Sequence, residues 1–124
     1  MKKRSTKEKG RAGEQLAARF LEKQGFRILD RNYRNRLGEI DIVAEDRGVL
    51  VFVEVRTLKA YAGHSPEETI QLRKQQHISR TALAYVQHKR LEDRPARFDV
   101  VSVTLEGIRS ALRHIPNAFD LWEA

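Results

Sequence analysis

A chain of 124 residues, 40% hydrophobic and 33% charged, has the size of one domain and can bury a core without staples. Its 24 Lys and Arg against 17 Asp and Glu give +7 at neutral pH, which favours a polyanionic partner, nucleic acid ahead of an anionic membrane surface. The lack of cysteine excludes disulfides, thiolate zinc sites and cysteine nucleophiles, and no apolar run spans a bilayer or follows "MKKRST" as a signal, so a cytoplasmic protein with no membrane partner is expected.

Residues 1–9, "MKKRSTKEK", hold nothing to bury and are expected to be a mobile basic arm, leaving 10–124 as one domain. "GRAGEQLAARFLEKQG" predicts the first helix, with Leu16, Ala17, Phe20 and Leu21 at helical spacing and Gly25 as its stop. Glu14 falls about 20° from Leu21 around that helix, at the edge of the buried face. A first-turn Glu is also what the helix dipole favours. "FRILDRNYRN" predicts a short strand around Phe26 and Ile28 that ends in a basic loop.

"LGEIDIVAEDRGVLVFVEVRT" predicts a β-hairpin. A two-residue loop of Arg47 and Gly48 sets Asp41 opposite Glu54 and Glu39 opposite Arg56. One face then carries Ile40, Ile42, Ala44, Val51, Val53 and Val55 and must be core. The other carries Val43 and Phe52 near the turn and Glu39, Asp41, Glu54 and Arg56 away from it. Asp41 and Glu54, about 5 Å apart at Cβ, repel one another. A proton on one acid relieves the repulsion, and so does a hard cation held between them. The same residues also suit an exposed face neutralised by Arg56, with Glu39 as its ion-pair partner. An acid, a turn and then Glu-x-basic is the pattern that metal-dependent phosphodiester cleavage needs. Carboxylates hold Mg²⁺, and the adjacent cation stabilises charge building on the phosphate.

"HSPEETIQLRKQQHISRTALAYVQHKR" predicts the second helix, with Ser65, Pro66 and Glu68 as its capping signals and a break near Thr69–Leu72. Lys74, Ile78, Ala82, Tyr85 and Val86 share one face. "RFDVVSVTLEGIRSALRHI" predicts two strands around a Glu106-Gly107 loop, the second ended by Pro116. Phe119 and Trp122 are expected to pack as a C-terminal latch. The order is α-β-β-β-α-β-β, an α/β arrangement with a mixed sheet.

Several stretches are distinctive together: "GExxAxxFLxxxGFxILxxNxR", "GEIDIVAxD", "VFVEVR", "SPEE", "RKQ" and "RFDVVSV". They resemble the YraN-like family of bacterial proteins over Gly10 to Phe119. That family is similar to the PD-(D/E)xK nuclease superfamily, in particular its Holliday-junction-resolvase-like branch. The resemblance implies a restriction-endonuclease-like fold with an αβββαβ core, a Mg²⁺ or Mn²⁺ cofactor, DNA as partner, and a homodimer by analogy with resolvases acting on two strands. It places Asp41 as the motif Asp, Glu54 as the Glu of E-x-K, Arg56 at the Lys position, and Glu14 as the helical Glu that completes the site. The backbone carbonyl of Val55 would join Asp41, Glu54 and Glu14 at the metal. Lys74 and Gln75 match the start of the second core helix; from its place on that helix Lys74 is a candidate to reach the scissile phosphate, and equally a solvated lysine near a helix start. Arg56 departs from the superfamily's Lys, and a guanidinium cannot act as a base near neutral pH.

The basic loop with Arg31, Arg34, Arg36 and Tyr33 is a candidate grip on a nucleic-acid backbone. His64, His77, His88 and His114 lack metal-ligand spacing and read as surface or satisfied histidines, and Asp99 reads as structural. The expected function is a Mg²⁺-dependent endonuclease acting on DNA, with branched or damaged DNA as candidate substrates. The alternative is a non-catalytic nucleic-acid-binding module on the same fold.

Overall fold

The computed structural model describes residues 6–58, 70–106 and 109–120. Among the described residues seven elements follow in order: α1 (Thr6–Lys23), β1 (Arg27–Asn35), β2 (Gly38–Asp46), β3 (Val49–Leu58), α2 (Leu72–Lys89), β4 (Ala96–Glu106) and β5 (Arg109–Phe119). The strands form one five-stranded sheet in the order β1-β2-β3-β4-β5. Only the β3–β4 pair is parallel, and α2 lies between them in sequence, as a parallel connection requires. The αβββαβ core in a mixed sheet is therefore present.

The two helices cover opposite faces of the sheet. Ala17, Ala18, Leu21 and Phe26 pack on Ile42, Ala44, Val51, Val53, Val101 and Val103. Ile78, Ala82 and Tyr85 pack on Ile40, Val43, Leu50, Phe52 and Phe98. The apolar stripes read from helical spacing are what each helix buries.

Helix α1 begins at Thr6, four residues before Gly10, where the spacing starts it. It ends as expected: Gly25 adopts φ +94°, and the Phe26 N–H donates to the Leu21 carbonyl while Gly25 N–H donates to that of Glu22. That is the left-handed cap glycine supports without a Cβ penalty.

The β2–β3 hairpin has the expected two-residue loop, with Arg47 and Gly48 both at positive φ. Pairing runs from Asp46↔Val49 to Ile42↔Val53 and does not continue to Asp41 and Glu54. The partition of faces changes there. Val43 and Phe52 are fully covered under α2, so the mixed face is core near the turn. Ile40 leaves the group of Ile42 and Ala44 and joins the α2 side. A strict two-residue alternation fails because the strand departs from regular pairing at Asp41.

Strand β1 is longer than the short strand expected and runs through Asn35, so Arg31 and Arg34 stand on a strand and only Arg36 lies in a turn. It stays paired through a register shift between Ile28 and Asp30 and a positive φ at Asn32, a residue that tolerates it. Helix α2 starts at Leu72 after an extended Gln71, where the break was expected. The Ser65 capping signals and Trp122 lie outside the described residues.

The β4–β5 pairing closes on Glu106↔Arg109, one residue beyond the predicted loop. Pro116 does not end β5, which continues to Phe119 through a register shift opposite Asp99. An edge strand with a bulge is where a sheet tolerates proline. Phe119 stacks on Phe98 at 4.9 Å, as half of the expected latch.

Candidate active site

The site starts with a missing Cβ. Helix α1 crosses β3 so closely at Gly13 that a Cβ there would lie 2.3 Å from the Thr57 hydroxyl. This contact brings the next residue, Glu14, to the end of β3 that carries Glu54 and Arg56. Gly13→Val is expected to cost about 2 kcal/mol through overpacking, read as a lower urea midpoint, because β-carbon and branches must displace Thr57.

Where the β2–β3 ladder stops, a side chain takes over from the backbone. Asp41 Oδ2 accepts the Val55 N–H at 2.8 Å. A carboxylate thus fills the gap between two parting strands and is held there. Burial, then the Glu54 charge, push the Asp41 carboxyl up to about 8; Glu14 adds to the rise, and the Val55 N–H works against it. Asp41 on β2 therefore feels an acid from β3 and one from α1, as the sequence spacing implied for Glu54.

Glu54 is 5% exposed, and its Oε1 is paired with Lys74 Nζ from the first turn of α2. The pair is a link between β3 and α2 and places an ammonium beside the acids. Lys74 is half exposed, so its other face is open to an anion. Arg56 stands two positions beyond Glu54 on the same face of β3. It makes no ion pair among the described residues.

Glu39 does not pair with Arg56. It pairs with Arg34 at 2.9 Å, its direct partner across β1–β2, because the hairpin ladder that would have set it opposite Arg56 ends before reaching it. The three arginines expected to act together also separate. Arg31 donates to Gln15 Oε1 on α1 at 2.9 Å. Arg36 sits at the β1–β2 turn beside the end of α2. Arg34 borders both sides: it lines a cavity of about 280 Å³ with Gly10, Arg11, Glu14, Asn32 and Glu39, and a larger cleft toward α2.

Sequence reading missed Gly13 as the residue that seats Glu14, although a glycine inside an amphipathic helix is a signal of close approach. It also missed the direct Lys74–Glu54 pair, which carries no local signal. His114 is satisfied as expected: its Nε2 lies 2.7 Å from Asp99 Oδ2. Asp99 itself is fully buried and accepts from Arg97 and from the Asn117 N–H as well.

Asp41 and Glu54 are hard oxygen donors whose mutual repulsion a cation would relieve, and Mg²⁺ is often held by one or two carboxylates with waters and phosphate oxygens. Among the described residues no group of three acid or histidine side chains converges to hold an ion alone. Asp41 and Glu54 are thus the two carboxylates whose chemistry suits such an ion, and Glu14 adds negative charge to Asp41's surroundings. Among the described residues no helix is long and apolar enough to cross a membrane.

A protein from Trichlorobacter lovleyi described as a UPF0102 protein is 52% identical over 90% of each chain. One from Syntrophotalea carbinolica is 43% identical over 90% of this chain and 91% of its own. Among solved structures, Pyrococcus furiosus SfsA in complex with Ca²⁺ is similar with a TM-score of 0.42 and 15% identity; the match covers 90% of this chain and 64% of that one. The family model described as "Uncharacterised protein family UPF0102" matches residues 13–103, and with these relatives it shows that the chain belongs to that family.

Proposed function

We propose that this protein is a Mg²⁺- or Mn²⁺-dependent endonuclease that hydrolyses phosphodiester bonds in DNA, with branched or damaged DNA among its substrates. The observation that carries the reading is Asp41 held beside Glu54 where β2 and β3 part, with Glu14 adding its charge, Lys74 on Glu54 and Arg56 two residues along. Like charges are gathered at a cost to stability, and cations stand beside them. Such an arrangement is hard to justify by packing and suits a site that handles a metal and a phosphate together.

Asp41 and Glu54 would hold the metal. When bound, the ion would polarise the phosphate and lower the pKa of a water. The chain's own residues do the rest. The Val55 N–H holds Asp41 in place. Lys74 and Arg56 offer positive charge to the phosphate oxygens, where negative charge builds in the transition state. Arg56 is assigned the binding of phosphate, not the taking of a proton. Glu14, seated by Gly13, adds negative potential that favours a cation at Asp41.

The test is cleavage of supercoiled plasmid and of a four-way junction with Mg²⁺ or Mn²⁺. Cleavage that survives Asp41→Asn would sink the site. Arg56→Ala is expected to lower the rate roughly 10²-fold, and Arg56→Lys to recover most of it, because the role assigned is electrostatic.

The alternative, a non-catalytic nucleic-acid-binding module, draws on Lys74 already neutralising Glu54. On that reading binding is salt-dependent and indifferent to metal and to Glu54→Gln.

A further inference from the structure

The cleft on the α2 side of Arg34 has no part in the chemistry above. It measures about 610 Å³ and is lined by Tyr33, Arg34, Arg36, Leu37, His88 and Lys89, among others, with no carboxylate in its walls. It lies between the β1–β2 turn and the last turn of α2. Lys89 Nζ stands 5.8 Å from the centroid of the Tyr85 ring, which meets Tyr33 edge-on at 4.9 Å. The cleft therefore combines cations, the Tyr33 ring backed by buried Tyr85, and an exposed leucine in a space the size of a small-ligand pocket.

We propose that this cleft takes a nucleotide from a single-stranded segment next to the scissile phosphate. The proposal rests on the nucleic-acid reading above and narrows its substrate class. Three features point the same way. Arg34, Arg36 and Lys89 bring positive charge with no acid among the lining residues to oppose it, the footprint of a phosphate backbone. Aromatic and apolar walls suit a base face, and a base must be unpaired to enter a concave space of this size. Arg34 also lines the cavity that holds Glu14 and Glu39, so the two spaces meet at one side chain. Glu39 lies two residues from Asp41, roughly 7 Å along the strand, about one nucleotide step. The Arg34–Glu39 pair is exposed on both sides and can open at little cost to let Arg34 turn to a phosphate.

The experiment measures fluorescence anisotropy of a short fluorescein-labelled single strand, and of the same sequence as blunt duplex, in EDTA. Cleavage then plays no part. Arg36→Ala with Lys89→Ala removes two exposed cleft cations. Arg19→Ala with Arg80→Ala removes two exposed cations that line neither cavity. Thermal melting checks that both proteins fold.

The cleft variant is expected to bind single strand roughly fivefold more weakly at moderate salt, with a salt slope shallower by about 1.4, and the control to stay within about twofold. The proposal is overturned if the cleft variant binds like the parent. It is also overturned if both variants lose affinity equally, or if duplex and single strand weaken alike. Asp41→Asn, measured for single-strand binding in this assay and separately for plasmid cleavage with Mg²⁺, separates the two readings. Lost cleavage with full single-strand binding leaves the cleft standing, and a cleft variant that still binds sinks the cleft whether or not the protein cuts.

Discussion

Asp41→Asn is expected to abolish metal-dependent cleavage and, at the same time, to raise the melting temperature of the metal-free protein. The loss of activity, roughly 10²-fold or more, follows from removing a charged ligand at the centre of the site. The gain in stability follows from the elevated pKa of about 8. An unfolded Asp ionises near pH 4, whereas the native carboxyl holds its proton until about pH 8. Between those values the native state binds more protons, so raising the pH costs stability. Asparagine can accept the Val55 N–H and has no charge to bury. The difference in stability between variant and parent should open above pH 4, grow through neutrality and level off above pH 8. At pH 8 the variant should melt several degrees above the parent, and at pH 5 the two should be much closer. Thermal melts at pH 5 and pH 8 in EDTA check this. A melting temperature that falls at pH 8 would show that Asp41 serves the fold and not a cation.

Asp99→Ala is expected to do the opposite and far more severely, with a loss of about 3–5 kcal/mol. Asp99, unlike half-buried Asp41, is fully buried and fully satisfied. Burial alone would raise its pKa. The His114 contact, the Arg97 guanidinium and the Asn117 N–H outweigh that and hold the carboxyl below its usual value. Removing it leaves a guanidinium, an imidazole and a backbone N–H at 3.0–3.2 Å or closer without their acceptor. Its pH sign is reversed as well. The stability it contributes is present above the unfolded pKa near 4 and is lost as pH falls through the lower native value. Urea unfolding at pH 7 and pH 3 measures both effects, with Asp99→Asn as a milder companion. A loss under about 1 kcal/mol would make the network no more than a surface pair.

These two aspartates show how much of the site was legible. Asp41 and Glu54 stood out because alternation in a hairpin with an Arg-Gly loop put like charges opposite one another. The structure keeps the loop and the encounter. What it changes is how they meet: the ladder stops at Ile42↔Val53, and the Asp41 side chain, not the backbone, answers Val55. Alternation cannot foresee where two strands part. The Glu39–Arg56 pairing failed for that reason. Asp99 was read as structural from its place at a strand start, but its partners came from His114 and Asn117 on the neighbouring strand. The expected end of β5 at Pro116 failed because a bulge opposite Asp99 absorbs the proline.

The sequence by itself determined the element order, the apolar stripes of both helices, the hairpin turn and the acids at its open end. These depend on periods of about 3.6 and 2 residues and on turn chemistry, all of which are local. Only the tertiary structure decided that Lys74 would meet Glu54, that Gly13 would seat Glu14, and that Arg31, Arg34 and Arg36 would face different neighbours. Each of these depends on how a helix crosses the sheet or where a ladder breaks. Those are long-range packing outcomes, and no local period encodes them.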